Sequence, residues 1–98
     1  MYFHGNAGSI ANRLPYYDEL HKYAKVNILA VDYRGFGESD GELGRDPEGA
    51  IRADAVSVLQ FARSLPGVDP DRLFVFGHSL GGAVGLDVAC LPDIKPLV

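Results

Sequence analysis

The chain has 98 residues, with 13 acidic against 9 basic side chains and a formal net charge of −4. That bounds it to at most one small domain and argues against a nucleic-acid face, since no basic cluster offsets the acidic balance. Cys90 is the only cysteine, which excludes an internal disulfide framework. Even the apolar stretch Gly81–Leu91 is interrupted by Asp87, so no segment reads as a membrane span or a signal peptide.

Met1–His4 reads as a short strand followed by a flexible Gly5–Gly8 turn. A helical segment comes next, with Ile10, Leu14, Tyr17, Leu20 and Ala24 roughly on one face. Pro15 leaves its start open: the main helix begins there, or a looser turn runs in from Ser9. Asp18 and Glu19 near its start and Lys22 and Lys25 at its end suit the helix dipole. Val26–Asp32 is a second strand, apolar from Ile28 to Val31. Tyr33–Arg45 is glycine-rich and lacks periodicity, as a loop does.

Asp46-Pro47-Glu48 is a helix start: an N-cap, a proline at the first helical position, then an acid. Ile51, Ala55, Val58, Ala62 and Leu65 form one buried stripe, and Pro66-Gly67 stops the helix. Leu73 to Phe76 is an unbroken apolar run, the pattern of a strand buried on both faces of a parallel sheet. Ala83–Cys90 is helical, with Cys90 expected to pack at the helix end. Pro92 breaks that helix, and Lys95–Val98 resembles the opening of a fourth strand.

Between the third strand and its helix stands Gly77-His78-Ser79-Leu80-Gly81. Strand, Gly-x-Ser-x-Gly, helix is the arrangement of a nucleophile elbow, which lifts a serine hydroxyl clear of the sheet edge. Glycine is needed at 77 and 81 because a Cβ there would collide where strand and helix cross closely. Opening the helix at Ser79 aims free N–H groups and the positive end of the dipole at the place where an oxyanion would form. The bare pattern also fits a plain tight turn, and Gly5–Gly8 also fits a loop that merely needs glycine; the position between strand and helix favours the catalytic reading.

Strands alternating with helices imply an α/β fold of three layers, α/β/α, on a partial parallel sheet of about four strands in the order 2-1-3-4. With the first and third strands adjacent, His4-Gly5-Asn6 and Gly77-His78-Ser79 both arrive at the carboxyl edge of the sheet, where such folds bind ligands. Gly35-Phe36-Gly37 is not a dinucleotide turn, because no helix opens directly after it. His4, His21, His78 and Cys90 lack metal-ligand spacing. No metal or cofactor is expected.

The stretches YFHGNAG, NILAVDYRGFGES and RLFVFGHSLGGAVGLDVA resemble the α/β-hydrolase superfamily of serine hydrolases, most closely the branch containing alpha/beta hydrolase domain-containing protein 13 and its microbial relatives. The resemblance covers nearly the whole chain. It implies Ser79 as a nucleophile toward ester, thioester or amide carbonyls. It also implies the backbone N–H groups of Leu80 and Asn6 as the oxyanion donors, supported by Gly5, Gly77, His78 and Gly81, with His4 holding the oxyanion loop in shape. Asp32, Tyr33, Arg34 and Ser39 would brace the edge of the site.

The family supplies an acid and then a histidine after the serine. Beyond Ser79 this chain has only Asp87 and Asp93 as acids, and no histidine. None of His4, His21 and His78 is expected to act as general base. Residues 1–98 therefore read as the N-terminal half of a hydrolase domain, truncated before the acid and histidine, with little turnover by themselves. The expected partner is a small-molecule or acyl substrate, with no nucleic acid, no membrane segment in this chain, and a C-terminal half needed for activity. The location of the intact protein is left unknown, with cytoplasmic as the default expectation and an anchor before Met1 left open. The alternative is a non-catalytic truncated module that binds a partner through an open sheet edge.

Overall fold

The first strand in the chain sits at the centre of the sheet. In the computed structural model, which describes residues 1–92, β1 (Tyr2–Phe3) is flanked on one side by β2 (Ala30–Val31) and on the other by β3 (Phe76–Gly77), both parallel to it. Tyr2 stands across from Ala30 and Phe76, and Phe3 across from Val31 and Gly77. The observed order is the expected 2-1-3; the fourth strand expected at Lys95–Val98 lies outside the described residues. The ladders are shorter than the strands expected at Val26–Asp32 and Leu73–Phe76, because each neighbour pairs only along the few residues between Met1 and the Gly5 turn. Hydrogen bonds from Tyr2 N to Leu29 O (2.8 Å) and Phe76 N to Met1 O (2.8 Å) hold the register.

Period two along β1 sends Tyr2 and Phe3 to opposite faces. Tyr2 packs edge-on to Tyr17 of α1 (Leu14–Ala24) with ring centroids 4.9 Å apart, and stacks on Phe76 at 5.3 Å. Phe3 joins the main core on the other face with Ile51, Ala55 and Leu59 of α2 (Pro47–Ser64) and Val84 and Val88 of α3 (Leu80–Ala89). The result is the expected three-layer arrangement over a parallel sheet.

The helices form for the reasons their sequences give, with adjustments. A turn of 3₁₀ helix at Ile10–Arg13 leads into α1, whose second residue is Pro15, so both readings of its start contribute. Asp18 and Glu19 consequently fall past the first turn, and Asp18 instead accepts from Lys22 one turn on (2.7 Å). Of the apolar face expected on α1, only Tyr17 is fully buried; Leu14 is 57% exposed and Ala24 lies in water. Asp46 caps α2 by accepting from Gly49 N at 3.0 Å. Its buried stripe is Ile51, Ala55, Leu59 and Ala62. Leu59 replaces the expected Val58, which is half-buried, and Leu65 is the C-cap rather than part of the stripe, since 3.6 residues per turn carries Leu59 inward.

Two further expectations are corrected. The 73–76 segment is covered on one face only: Leu73 and Val75 pack against the core, whereas Phe74 and Phe76 are 50% and 45% exposed, because α1 covers little beyond Tyr2. Cys90 is exposed, since it caps the last turn of α3 on the solvent side.

The 33–45 loop is tied to α2 by Arg34, whose Nε and Nη2 both reach the Asp54 carboxylate (2.9 and 2.5 Å). The guanidinium holds the Asp54 carboxyl below the usual carboxylate range. A depressed acid contributes stability above its unfolded value and loses it as pH falls through the folded one. The unfolding midpoint of Asp54→Asn is therefore expected to vary less than wild type between about pH 2 and pH 5, read by urea titration at each pH.

Candidate active site

Because β1 and β3 are parallel neighbours, their carboxyl ends leave the sheet side by side. The His78 N–H donates to the Phe3 carbonyl (3.2 Å), joining the two exits. Gly5 is buried against the second exit: a Cβ placed on it would stand 3.6 Å from the Ser79 Cβ and 3.5 Å from the His78 carbonyl oxygen. The turn after β1 and the turn after β3 thus meet at one edge, as the sheet order requires.

Ser79 occupies the N-cap of α3 with φ 57° and ψ −116°. Lys25 is the other non-glycine residue of positive φ among the described residues, and it is a left-handed helix C-cap, where that conformation is ordinary. A serine at an N-cap normally bonds a backbone N–H of the first turn. Ser79 makes no such bond, and its side chain is exposed. Instead, the Gly81 N–H donates to the His78 carbonyl (3.0 Å) and the Gly82 N–H to the Ser79 carbonyl (2.9 Å). Leu80 holds the first helical position, whose N–H has no intrahelical acceptor.

The crossing of α3 over the sheet explains the two glycines. A Cβ on Gly77 would overlap the Gly81 carbonyl, and a Cβ on Gly81 would overlap the Phe3 carbonyl. Both obstacles are backbone, which cannot rotate away. The strand–turn–helix therefore exists only with glycine at both places.

Beneath the turn after β1 lies a buried polar cluster. His4 is completely buried; its Nδ1 donates to the Gly5 carbonyl (2.6 Å) and its Nε2 lies 3.1 Å from Asp32 Oδ1. That second contact has the distance of an ion pair without the direction of a hydrogen bond. Tyr33, 1% exposed, donates its hydroxyl to the His4 carbonyl (2.6 Å). Burial pushes the Tyr33 phenol well above the usual tyrosine range, so the hydroxyl stays a donor. Tyr33→Phe strands a buried carbonyl and is expected to cost about 1–3 kcal/mol, measured from the shift in urea midpoint.

The expected site residues thus fall in two groups. Ser79, Leu80, Gly77, His78 and Gly81 line the turn after β3, and Asn6, Gly5 and His4 the turn after β1. Of the other histidines, His78 is exposed with its ring beside Gly5, and His21 is occupied at the end of α1 with the Val26 carbonyl (2.8 Å). Tyr33 was visible in sequence only as a brace; its place in the core follows a strand-end aromatic turned inward. The bond from Ile10 N to Asp32 Oδ1 (2.9 Å) has no sequence signal. Among the described residues there is no group of three His, Cys, Asp or Glu able to hold a metal ion, and no helix long and apolar enough to cross a membrane.

A parallel sheet in this order, with a strained serine turn leading into a helix, defines an α/β protein of hydrolase type. The family model described as "Alpha/beta hydrolase family" matches residues 2–98, and the chain belongs to that family. It is 31% identical over 86 residues to Protein bem46 of Schizosaccharomyces pombe, covering 88% of this chain and 28% of that protein. It is 39% identical over 85 residues to Alpha/beta hydrolase domain-containing protein WAV2 of Arabidopsis thaliana, covering 87% of this chain and 27% of that one. The Uncharacterized protein YfhR of Salmonella typhi is 39% identical over 95 residues, covering 92% of this chain and 31% of YfhR. The chain therefore spans less than a third of the length of these relatives. No solved structure matches it significantly. Family membership supports a hydrolase-type function in general terms.

Proposed function

We propose that Ser79 is the nucleophile of an acyl hydrolase, attacking ester, thioester or related carbonyls and passing through an acyl-enzyme. The observation that carries this reading is the Ser79 backbone: a strained serine at a helix N-cap that does not use its hydroxyl to cap. Such strain persists only where the surroundings impose it, and it concentrates at reactive sites. Attack by Oγ forms a tetrahedral oxyanion, which the N–H groups of Leu80 and Asn6 receive. Collapse expels the alcohol or thiol, and water then releases the acid.

The serine needs a base to take its proton. His4 is enclosed by Asp32 and Gly5, and His21 is held at the far end of α1. No histidine follows position 78, and Asp87 is engaged by Arg52 (2.9 Å). In this reading the base and acid lie outside residues 1–98. These residues supply the nucleophile and the oxyanion donors alone.

Treating the intact protein with a fluorophosphonate and mapping the adduct by mass spectrometry tests the reading. Modification confined to Ser79 is the expected result; a folded protein that stays unmodified, or is modified elsewhere, overturns it. Residues 1–98 by themselves are expected to release no p-nitrophenol from p-nitrophenyl esters above buffer, and turnover abolished by Ser79→Ala would show the site to be complete as it stands. The exposed Phe74 and Phe76 favour the alternative of a non-catalytic interaction module. A protein that captures a partner through that face and never labels would decide for it.

A further inference from the structure

A trans peptide is a rigid plane in which C=O and N–H point in opposite directions, so gripping the oxygen aims the hydrogen. The turn after β1 is gripped in this way at three successive carbonyls: Phe3 by the His78 N–H (3.2 Å), His4 by the Tyr33 hydroxyl (2.6 Å) and Gly5 by the His4 ring (2.6 Å). The last of these planes carries the N–H of Asn6. A carbonyl oxygen can only accept, so His4 Nδ1 bears the proton of that bond. The direction of the Asn6 N–H therefore depends on the setting of the His4 imidazole.

Asp32 lies against the far nitrogen of that ring, which has no hydrogen-bond partner of its own. Its Oδ1 lies 3.1 Å from His4 Nε2 and accepts from Ile10 N at 2.9 Å. Its own carbonyl accepts from Ser39 Oγ at 2.6 Å. Gly37, at φ 53°, leaves the space the carboxylate occupies, since a Cβ there would overlap it. The carboxylate is thus held by Ile10 N ahead of α1 and lies against Gly37 of the loop after β2. The rings of Tyr33 and Phe36 pack beside the His4 ring, with centroids 4.6 and 5.7 Å from its own.

We propose that Asp32 is a positioning residue for acyl transfer: through the His4 ring it orients the Gly5–Asn6 peptide and so aims the Asn6 N–H at the developing oxyanion. The proposal rests on the serine-hydrolase reading above. Asp32 touches no reacting atom. Its removal lowers the rate of the step that builds the oxyanion and leaves substrate affinity alone, because the donor matters most where charge develops.

The test compares fluorophosphonate labelling rates and ester kinetics of intact wild-type protein, Asp32→Ala and Asp32→Asn. Asp32→Ala is expected to lower the labelling rate and kcat by about 10–100-fold, with KM within about twofold. Asp32→Asn, which keeps the shape of the side chain and an oxygen for Ile10 N, is expected to recover part of the loss. A folded Asp32→Ala protein that labels at the wild-type rate, or one whose loss falls on KM, overturns the proposal while leaving the serine reading intact. An unlabelled wild-type protein overturns both.

A second measurement needs no variant. In wild-type protein, NMR should detect coupling across the hydrogen bond between His4 Nδ1 and the Gly5 carbonyl carbon. Its absence overturns the relay even if Asp32→Ala does not fold.

Discussion

Ser79→Ala is expected to lower the intact protein's esterase kcat by about 10⁶-fold, the loss seen when the serine of a hydrolytic triad is removed. Fluorophosphonate labelling should disappear with it. Stability should hardly change, within about 0.5 kcal/mol, because the hydroxyl makes no capping bond and lies exposed. The informative companion is Ser79→Gly. Glycine adopts φ 57° without the Cβ strain that serine bears there. Relief of that strain outweighs the extra backbone entropy lost on folding, so Ser79→Gly is expected to gain about 1 kcal/mol. Urea titration of the three proteins, beside their labelling, separates strain from chemistry. If Ser79→Gly is no more stable than Ser79→Ala, the turn is not strained and the observation that singles out Ser79 is lost.

The architecture was legible because the apolar runs differ in period. Ile51, Ala55 and Ala62 recur as one helix face, and the run around Val75 cannot be a helix because Gly77 follows at once. Sheet order followed from where the glycine turns must meet, and the register of Phe3 against Gly77 places them at one edge. Burial was harder to read. Alternation within 73–76 says which residues share a face, yet not whether anything covers that face. Phe74 and Phe76 looked like core and stand half in water. The same limit applies to Leu14 on α1. At the site, Ser79 announced itself through local spacing, but Asp32 and Tyr33 act through partners 28 and 29 residues earlier, a separation that no local pattern encodes.

Gly81→Ala is the substitution expected to harm the fold most. Judged as a helix position, it should help: alanine in a helix interior is better than glycine by about 1 kcal/mol. The crossing reverses the sign, because the new methyl would overlap the Phe3 carbonyl and come within 2.8 Å of the His4 oxygen, both backbone atoms at the exit of the central strand. Either α3 lifts from the sheet, giving up the contacts of Val84 and Val88 with the Phe3 core, or β1 is displaced from between its two neighbours. A net loss of at least about 3 kcal/mol is expected. Gly82→Ala is the control, one residue along the same helix. Its Cβ would meet nothing closer than the Gly77 carbonyl at 3.7 Å, so only the helix preference acts and stability should rise by up to about 1 kcal/mol. Urea midpoints that move in opposite directions for these two alanines would locate the close approach at Gly81. Because the same approach brings the Ser79 turn against Gly5, a Gly81→Ala protein that remains folded should also lose labelling at Ser79. Equal midpoints would mean that α3 can move off the strand without cost, and the two turns would then have no fixed relation through which to share an oxyanion.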